Sequence, residues 1–204
     1  MKIMYLRSGP LKVNSYFLIN ENTKKAILID GGENYKLIKK TEQDLGVTIV
    51  AELLTHAHFD HAGNAKKLQD DGVKIYISET DAKKLNPKGS LGINFGRNFE
   101  SLTPNVTFND GDELEIEGIK IKVIITKGHT DGSATFIVEN NLFTGDTLFL
   151  ECVGRTDFET GSKEEMIASV KKLFALEGDY NVFPGHEEFT TLEHERKYNL
   201  FRDF

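Results

Sequence analysis

The sequence predicts a mixed α/β protein in which strands, helices, strands and helices follow one another. Three observations predict it. Residues 11–20 and 26–30 are short apolar blocks that read as strands. Residues 119–125 alternate strictly, with Ile119, Ile121 and Val123 set apart from Lys120 and Lys122. Residues 162–175 place Met166, Ile167, Val170, Leu173 and Phe174 on one helical stripe.

Each element has a local reason. The polar turn Glu21-Asn22-Thr23-Lys24 joins the first two strands. Residues 34–45 read as an amphipathic helix stopped by Gly46, a favoured residue just past a helix end. The run 49–54 reads as a strand giving way to a loop, residues 62–70 as a helix ending near Gly72, and residues 74–78 as a strand. Residues 86–104 are weakly patterned, with Gly89, Gly92 and Gly96 among Ile93, Phe95 and Phe99. So long a loop is either a substrate wall, with Phe95 and Phe99 as its apolar surface, or a segment packed on the surface. Residues 113–116 and 119–125 form a hairpin closed by Glu117-Gly118, with Leu114 facing Ile121. On its other face Glu113 and Glu115 oppose Lys122 and Lys120 as cross-strand ion pairs. Ser162 and Glu165 predict a capping box for the 162–175 helix, whose stripe is core packing. A last helix is expected over residues 192–201.

Composition narrows the function classes. A chain of 204 residues suits a single domain over 1–204. A net charge of −7 and a pI near 5.4 disfavour a nucleic-acid surface, which needs a basic stripe. Residues 1–7 meet charge before any long apolar stretch, so no signal peptide is expected, and no run suits a membrane helix. The lone Cys152 cannot form an internal disulfide, which fits a reducing cytoplasm. It reads as a small core residue rather than a nucleophile.

The chemistry is concentrated in Thr55-His56-Ala57-His58-Phe59-Asp60-His61, which holds three of the six histidines beside a carboxylate. Imidazole and carboxylate donors suit zinc, iron or manganese. Four donors so close cannot converge on one ion, because His56 and His58 point one way and Asp60 and His61 another. His129, Asp146 and His186 repeat one layout: an apolar run, a glycine, then the donor. Together they add donors from three further strand ends. His194, flanked by Glu193, Glu195, Arg196 and Lys197, reads as a solvated residue.

With these residues the chain resembles the metallo-β-lactamase superfamily over nearly its whole length. The resemblance implies a four-layer αββα sandwich of two mixed sheets flanked by helices. It also implies that His56, His58 and His129 hold one metal and Asp60, His61 and His186 a second, with Asp146 bridging both. Within that superfamily the chain looks most like short, single-domain members of the glyoxalase II group, the hydroxyacylglutathione hydrolases. The residues behind this are Val153-Gly154-Arg155-Thr156-Asp157-Phe158, Pro184-Gly185-His186, Thr190-Thr191 and Glu195-Arg196. Two-domain members carry a C-terminal helical domain that holds glutathione, whereas this chain stops at Phe204, so glutathione as the thiol carrier stays open.

Two adjacent divalent ions, zinc first with iron or manganese as alternatives, would bring the pKa of a shared water toward about 7. The resulting bridging hydroxide suits attack on a small-molecule thioester, because a thiolate leaves without a strong general acid. Asp60 and His61 are the catalytic candidates, and Arg155 is the candidate for a substrate carboxylate or, equally, for an ion pair with Asp157 or Glu159. Asp30, Thr55, Thr130 and Thr144 are expected either to orient the imidazoles or to shape turns. The alternatives are a persulfide dioxygenase with one iron on His56, His129 and Asp146, or a lactonase keeping all seven donors. A β-lactamase fits less well, since common types lack the bridging aspartate or use a cysteine. A metal-stabilised binding protein without turnover is the reading from another class.

Overall fold

Alternation along the strands makes three cores and therefore four layers. In the computed structural model, which describes residues 1–204, the first sheet runs β1 (Lys2–Ser8), β2 (Val13–Asn20), β3 (Lys25–Ile29), β4 (Thr48–Leu53), β5 (Lys74–Ser78) and β6 (Val106–Phe108). Strands β1 to β3 are antiparallel neighbours, and β3 to β6 are parallel. The second sheet contains β7 (Glu113–Ile116), β8 (Ile119–Ile125), β9 (Ala134–Val138) and β10 (Asn141–Gly145). A two-stranded ribbon, β11 (Leu148–Phe149) with β12 (Cys152–Val153), leaves it before β13 (Asn181–Pro184) and β14 (Thr190–Thr191) rejoin. The order in that sheet is β14-β13-β10-β9-β8-β7, parallel only between β10 and β13.

Tyr16, Leu18, Ile27, Ile29 and Leu53 from the first sheet meet Ile121, Val123, Phe136 and Phe143 from the second. The alternate residues Phe17, Ile19, Ala26 and Leu28 face outward and pack under α1 (Tyr35–Leu45), α2 (Phe59–Ala62) and α3 (Ala65–Asp70). The short α4 (Glu79–Ala82) follows β5. On the far side Leu142 and Val182 meet Leu173 of α5 (Lys163–Phe174) and Leu192 of α6 (Leu192–Tyr198). The αββα sandwich is thus the consequence of a period-two pattern buried on both faces. No helix is long and apolar enough to cross a membrane.

Several elements follow the sequence closely. Asn34 caps α1 by accepting from the Leu37 N–H, and Gly46 ends it at φ 62°. The β7–β8 register pairs Leu114 with Ile121, Glu113 with Lys122 and Glu115 with Lys120. No ion pair closes between those charges, as expected where two exposed side chains would lose rotamer freedom for a screened attraction. Ser162 caps α5 through the Glu165 N–H, but its own N–H donates to Gly128, so only half of the capping box forms. Met166, Val170 and Leu173 are buried as the stripe requires.

Other boundaries differ. The strand expected from residue 11 begins at Val13, because Lys12 adopts φ 55° in a turn. The helix expected over 62–70 starts at Phe59 and breaks at Gly63-Asn64. There the His61 carbonyl accepts from Gly32 rather than from the next helical turn, and the Asn64 N–H donates to Gly32. The last helix stops at Tyr198. Thr190, Glu195 and Arg196 prove to be staples. Buried Glu195 accepts from the Thr190 hydroxyl at 2.7 Å, Asn199 Nδ2 at 2.7 Å and the Glu151 N–H at 2.9 Å. Arg196 donates to the carbonyls of Phe174, Leu176 and Gly178 and so closes the C-terminal end of α5.

One buried carboxyl has a consequence for stability. Glu52 of β4 is fully enclosed, accepts from the Gly31 N–H at 2.8 Å, and leaves its other oxygen unpartnered. Burial pushes its carboxyl up to about 8. A carboxyl raised on folding binds a proton that the unfolded chain has lost, so stability falls as pH rises between the unfolded and folded values. From about pH 5 to pH 8 the metal-free protein should lose up to about 1.4 kcal/mol per pH unit through this group. Glu52→Gln should remove that slope in urea unfolding; an unchanged slope would mean that Glu52 is ionised in the fold.

Candidate metal centre

Four strands end at one edge of the sandwich, and a donor follows each. His56 follows β4, His129 follows β8, and His186 follows β13, while Asp146 comes directly after β10. His58 is the N-cap of α2, which carries Asp60 and His61. Glycine before a donor permits close approach: a Cβ on Gly145, which lies at φ 50°, would come within 2.4 Å of Thr55 Oγ1. One on Gly185 would meet Asp146 Oδ1 at 2.4 Å and the His61 ring at 2.7 Å.

All seven expected donors come together. His56, His58 and His129 form one group and Asp60, His61 and His186 another, with donor atoms inside each group within 4.8 Å of one another. Asp146 lies between them: Oδ1 is 3.4 Å from His61 Nε2, and Oδ2 is 3.4 Å from His129 Nε2. Most of these side chains are almost wholly buried.

Hydrogen bonds on the far side of the rings set their tautomers. His129 Nδ1 donates to the Arg155 carbonyl at 2.8 Å, and His186 Nδ1 to the Leu11 carbonyl at 2.9 Å. His61 Nδ1 donates to Asp30 Oδ2 at 2.9 Å. Thr55 Oγ1 gives its proton to Asp30 at 2.7 Å and accepts from His56 Nδ1 at 3.1 Å. Each Nε2 therefore turns its coordinating position inward. His58 instead presents Nδ1, which lies 2.9 Å from His129 Nε2. His61 Nε2 and His186 Nε2 approach to 3.2 Å, and buried His56 Nε2 and Asp146 Oδ1 lack a hydrogen-bond partner. Converging lone pairs and orphaned donors in a buried site are what a cation would relieve.

Electrostatics agree. Burial alone would lower His61, yet Asp146, Asp60 and Asp30 around it hold it well above the usual histidine value. Burial favours neutral Asp146, but His61, His186 and His129 keep its carboxyl well below the usual range. Asp60 is likewise kept ionised against burial by His61 and His186. Burial, reinforced by neighbouring His129, drives His58 down to about 3. The carboxylates thus recruit a proton to His61 where a metal would place a larger charge.

Above the donors opens a cavity of about 750 Å³. His58, Asp60, His129, Asp146 and His186 form its floor, Leu91, Phe95, Phe149 and Phe158 its apolar walls, and Arg7, Lys12 and Arg155 part of its rim. Phe95 is on the wall as expected, 5.2 Å from the Phe59 ring. Phe99 is not. The chain reverses at Gly96, φ 65°, and Phe99 joins the helix-side core with Phe59 and Leu85 at 4% exposure. Arg155 reaches the rim with its fork closed on Asp157, at 2.7 Å from each carboxylate oxygen, and stacks 4.0 Å over the Phe158 ring. That pairing holds the Asp157 carboxyl down at about 2.

Of the expected orienting groups, Asp30 and Thr55 touch the imidazoles. Thr130 meets Asp81 instead, and the Thr144 hydroxyl closes a turn on the Leu148 carbonyl. His194 bonds Glu151 at 3.0 Å, away from the centre. Burial and three nearby glutamates push the Cys152 thiol up to about 11, so it is no nucleophile near neutral pH. Asp81, Lys12 and Arg7 were not legible as site residues, since each sits in an ordinary charged stretch and only tertiary contact brings it here.

Residues 8–186 match the family described as the metallo-beta-lactamase superfamily. The chain belongs to that superfamily. A hydroxyacylglutathione hydrolase, GloC, of Haemophilus influenzae is 37% identical over 193 residues, covering 90% of each chain. The crystal structure of the B3 metallo-beta-lactamase BLEG-1 superposes with a TM-score of 0.93 at 29% identity, covering 100% of both chains. TTHA1623 in a di-iron-bound form gives 0.86 at 29% identity, covering 97% of this chain and 99% of its own. This superfamily member is a metal-dependent hydrolase by its relatives, and its donor set fits two ions.

Loaded with excess divalent metal and freed of unbound ions, the protein should carry two ions per chain by elemental analysis. A single ion at saturation would rule out a binuclear centre.

Proposed function

We propose that the protein is a binuclear metal-dependent thioester hydrolase of the glyoxalase II type. The observation that carries this reading is the pair of donor groups sharing Asp146 at the floor of an open, apolar-walled cavity. The thioester is favoured by the similarity to a hydroxyacylglutathione hydrolase across 90% of both chains.

In this reading His56, His58 and His129 hold one divalent ion, Asp60, His61 and His186 the other, and Asp146 both. When bound, such a pair supplies Lewis-acid polarisation of a carbonyl and makes water acidic enough to ionise near neutral pH. Zinc is the first expectation, and iron is supported by the di-iron form of TTHA1623. Asp60, ionised and facing the cavity, accepts a hydrogen bond from attacking water and orients it. Asp30 and Thr55 keep His61 and His56 in the tautomers that leave Nε2 free. Phe95, Phe158 and Leu91 exclude water from one side of the substrate.

Arg155 offers charge for a substrate carboxylate only by exchanging Asp157. Both partners are exposed, at 55% and 67%, so solvent screening makes that exchange inexpensive. A second reading, β-lactam hydrolysis, has the whole-chain fold likeness to BLEG-1 in its favour. Thioesters, lactones, persulfides and β-lactams assayed side by side separate the readings. Thioesters turning over fastest is the expected result, and β-lactam turnover alone would overturn it.

Asp60→Asn and His129→Ala should each cut thioester hydrolysis by orders of magnitude with the circular dichroism spectrum unchanged; near-native turnover would place the chemistry elsewhere. Arg155→Ala should lower kcat/KM about tenfold for acidic thioesters, mainly through KM, and spare uncharged ones. An equal loss for both would mean that Arg155 serves only to fix Phe158.

A further inference from the structure

The first donor group is assembled from two sheets, and one buried carboxylate links its parts. His56 and His58 stand on the loop after β4 of the first sheet, and His129 on the loop after β8 of the second. Asp81, in the single turn of α4, touches both loops while wholly buried. Its Oδ2 accepts the N–H of Ala57, the residue between His56 and His58, at 2.9 Å. The same oxygen lies 3.0 Å from the hydroxyl of Thr130, the residue after His129, and Oδ1 lies 3.2 Å from it.

The clamp is itself held. The Ser78 hydroxyl accepts the Asp81 N–H at 3.2 Å and donates to the Gly132 carbonyl at 2.6 Å. Lys84 pairs with both Asp81 and Asp131, which neutralises the buried charge and joins α4 to the loop after His129. A Cβ on Gly132 would come within 2.3 Å of Asp81 Oδ1, so the loop can lie this close only as glycine. Nothing comparable reaches the second group from Asp81. In that group His61 is tied instead through Asp30 and His186 through the Leu11 carbonyl.

We infer that Asp81 is a positioning residue for the first metal group: it sets the spacing of the His56–His58 loop against His129, and so the affinity of that group alone. The inference rests on the reading that His56, His58 and His129 hold an ion. A carboxylate fixing a peptide N–H beside two ligands and a hydroxyl beside the third acts as an orienting partner does, with an expected effect of about 10–100-fold on metal affinity.

Each group can be read by itself with cobalt(II). His186→Ala leaves the first group complete, and His129→Ala leaves the second. Asp81→Ala added to His186→Ala should weaken cobalt binding about 10–100-fold and shift the visible absorption of the bound ion, with no change when added to His129→Ala. Thr130→Val, which removes no charge but deletes the hydroxyl that meets Asp81, Ser133 and the Gly132 N–H, should move binding in the same direction and supplies the answer if Asp81→Ala does not fold. Urea unfolding of the metal-free variants keeps stability apart from affinity. Unchanged cobalt affinity and spectrum in the His186→Ala protein would overturn the proposal, as would equal weakening in both backgrounds. Failure of the His186→Ala protein to bind cobalt at all would overturn the metal reading together with it.

Discussion

Burying carboxylates and imidazoles together, away from water, is the constraint to which the rest of this fold answers. Asp30, Asp60 and Asp146 lie among His56, His58, His61 and His129, and all are nearly inaccessible. Isolated, such charges would cost several kcal/mol each. Here they offset one another, so that His61 is driven up while Asp146 is driven down. What remains unbalanced is the set of orphaned and converging donor atoms, and a divalent cation answers that geometry better than a proton does.

The sandwich makes the constraint bearable by bringing strand ends from both sheets to one edge. Backbone bonds cross the seam there: the Ala134 N–H donates to Thr55 and the Asn14 N–H to Gly185. The donors therefore sit on short loops anchored at both ends, as a preorganised site requires. Buried carboxylates behind the rings complete the design. Asp30 ties Thr55 to His61, and Asp81 ties Ala57 to Thr130.

The cavity side follows other rules. Its walls are aromatic and partly exposed, and its charged rim groups are mostly engaged with one another. Arg7 is bound to Asn14, Glu187 and Glu188, and Arg155 to Asp157. Such a surface selects by shape and apolar area near the floor, and by exchange of exposed ion pairs at the rim. Under the proposed function, chemistry and selectivity would fall to different parts of the chain, as on scaffolds that serve several activities.

Much of this was determined by the sequence itself. The strands and helices with strong periodicity, the β7–β8 register and the caps at Asn34, Gly46 and Ser162 are local consequences of residue type and spacing. So were the seven donors, because three histidines and an aspartate clustered after one strand, and three further donors each following a glycine at a strand end, have few other uses. What local pattern could not reach, tertiary contact decided. Strand β1 lacks alternation and exists because its backbone pairs with β2. The break in the α2–α3 helix comes from the Gly31-Gly32 loop, which takes hydrogen bonds that a continuous helix would have used. Phe95 and Phe99 look alike in sequence, yet one lines the cavity and the other fills the core, because Gly96 turns the chain between them. Asp81 lies in an unremarkable charged stretch, and it reaches Thr130 and Ala57 only because the two sheets meet beside it. A donor announces itself by its type and spacing, whereas a group that positions a donor acts through contacts far apart in the chain, and only folding creates those.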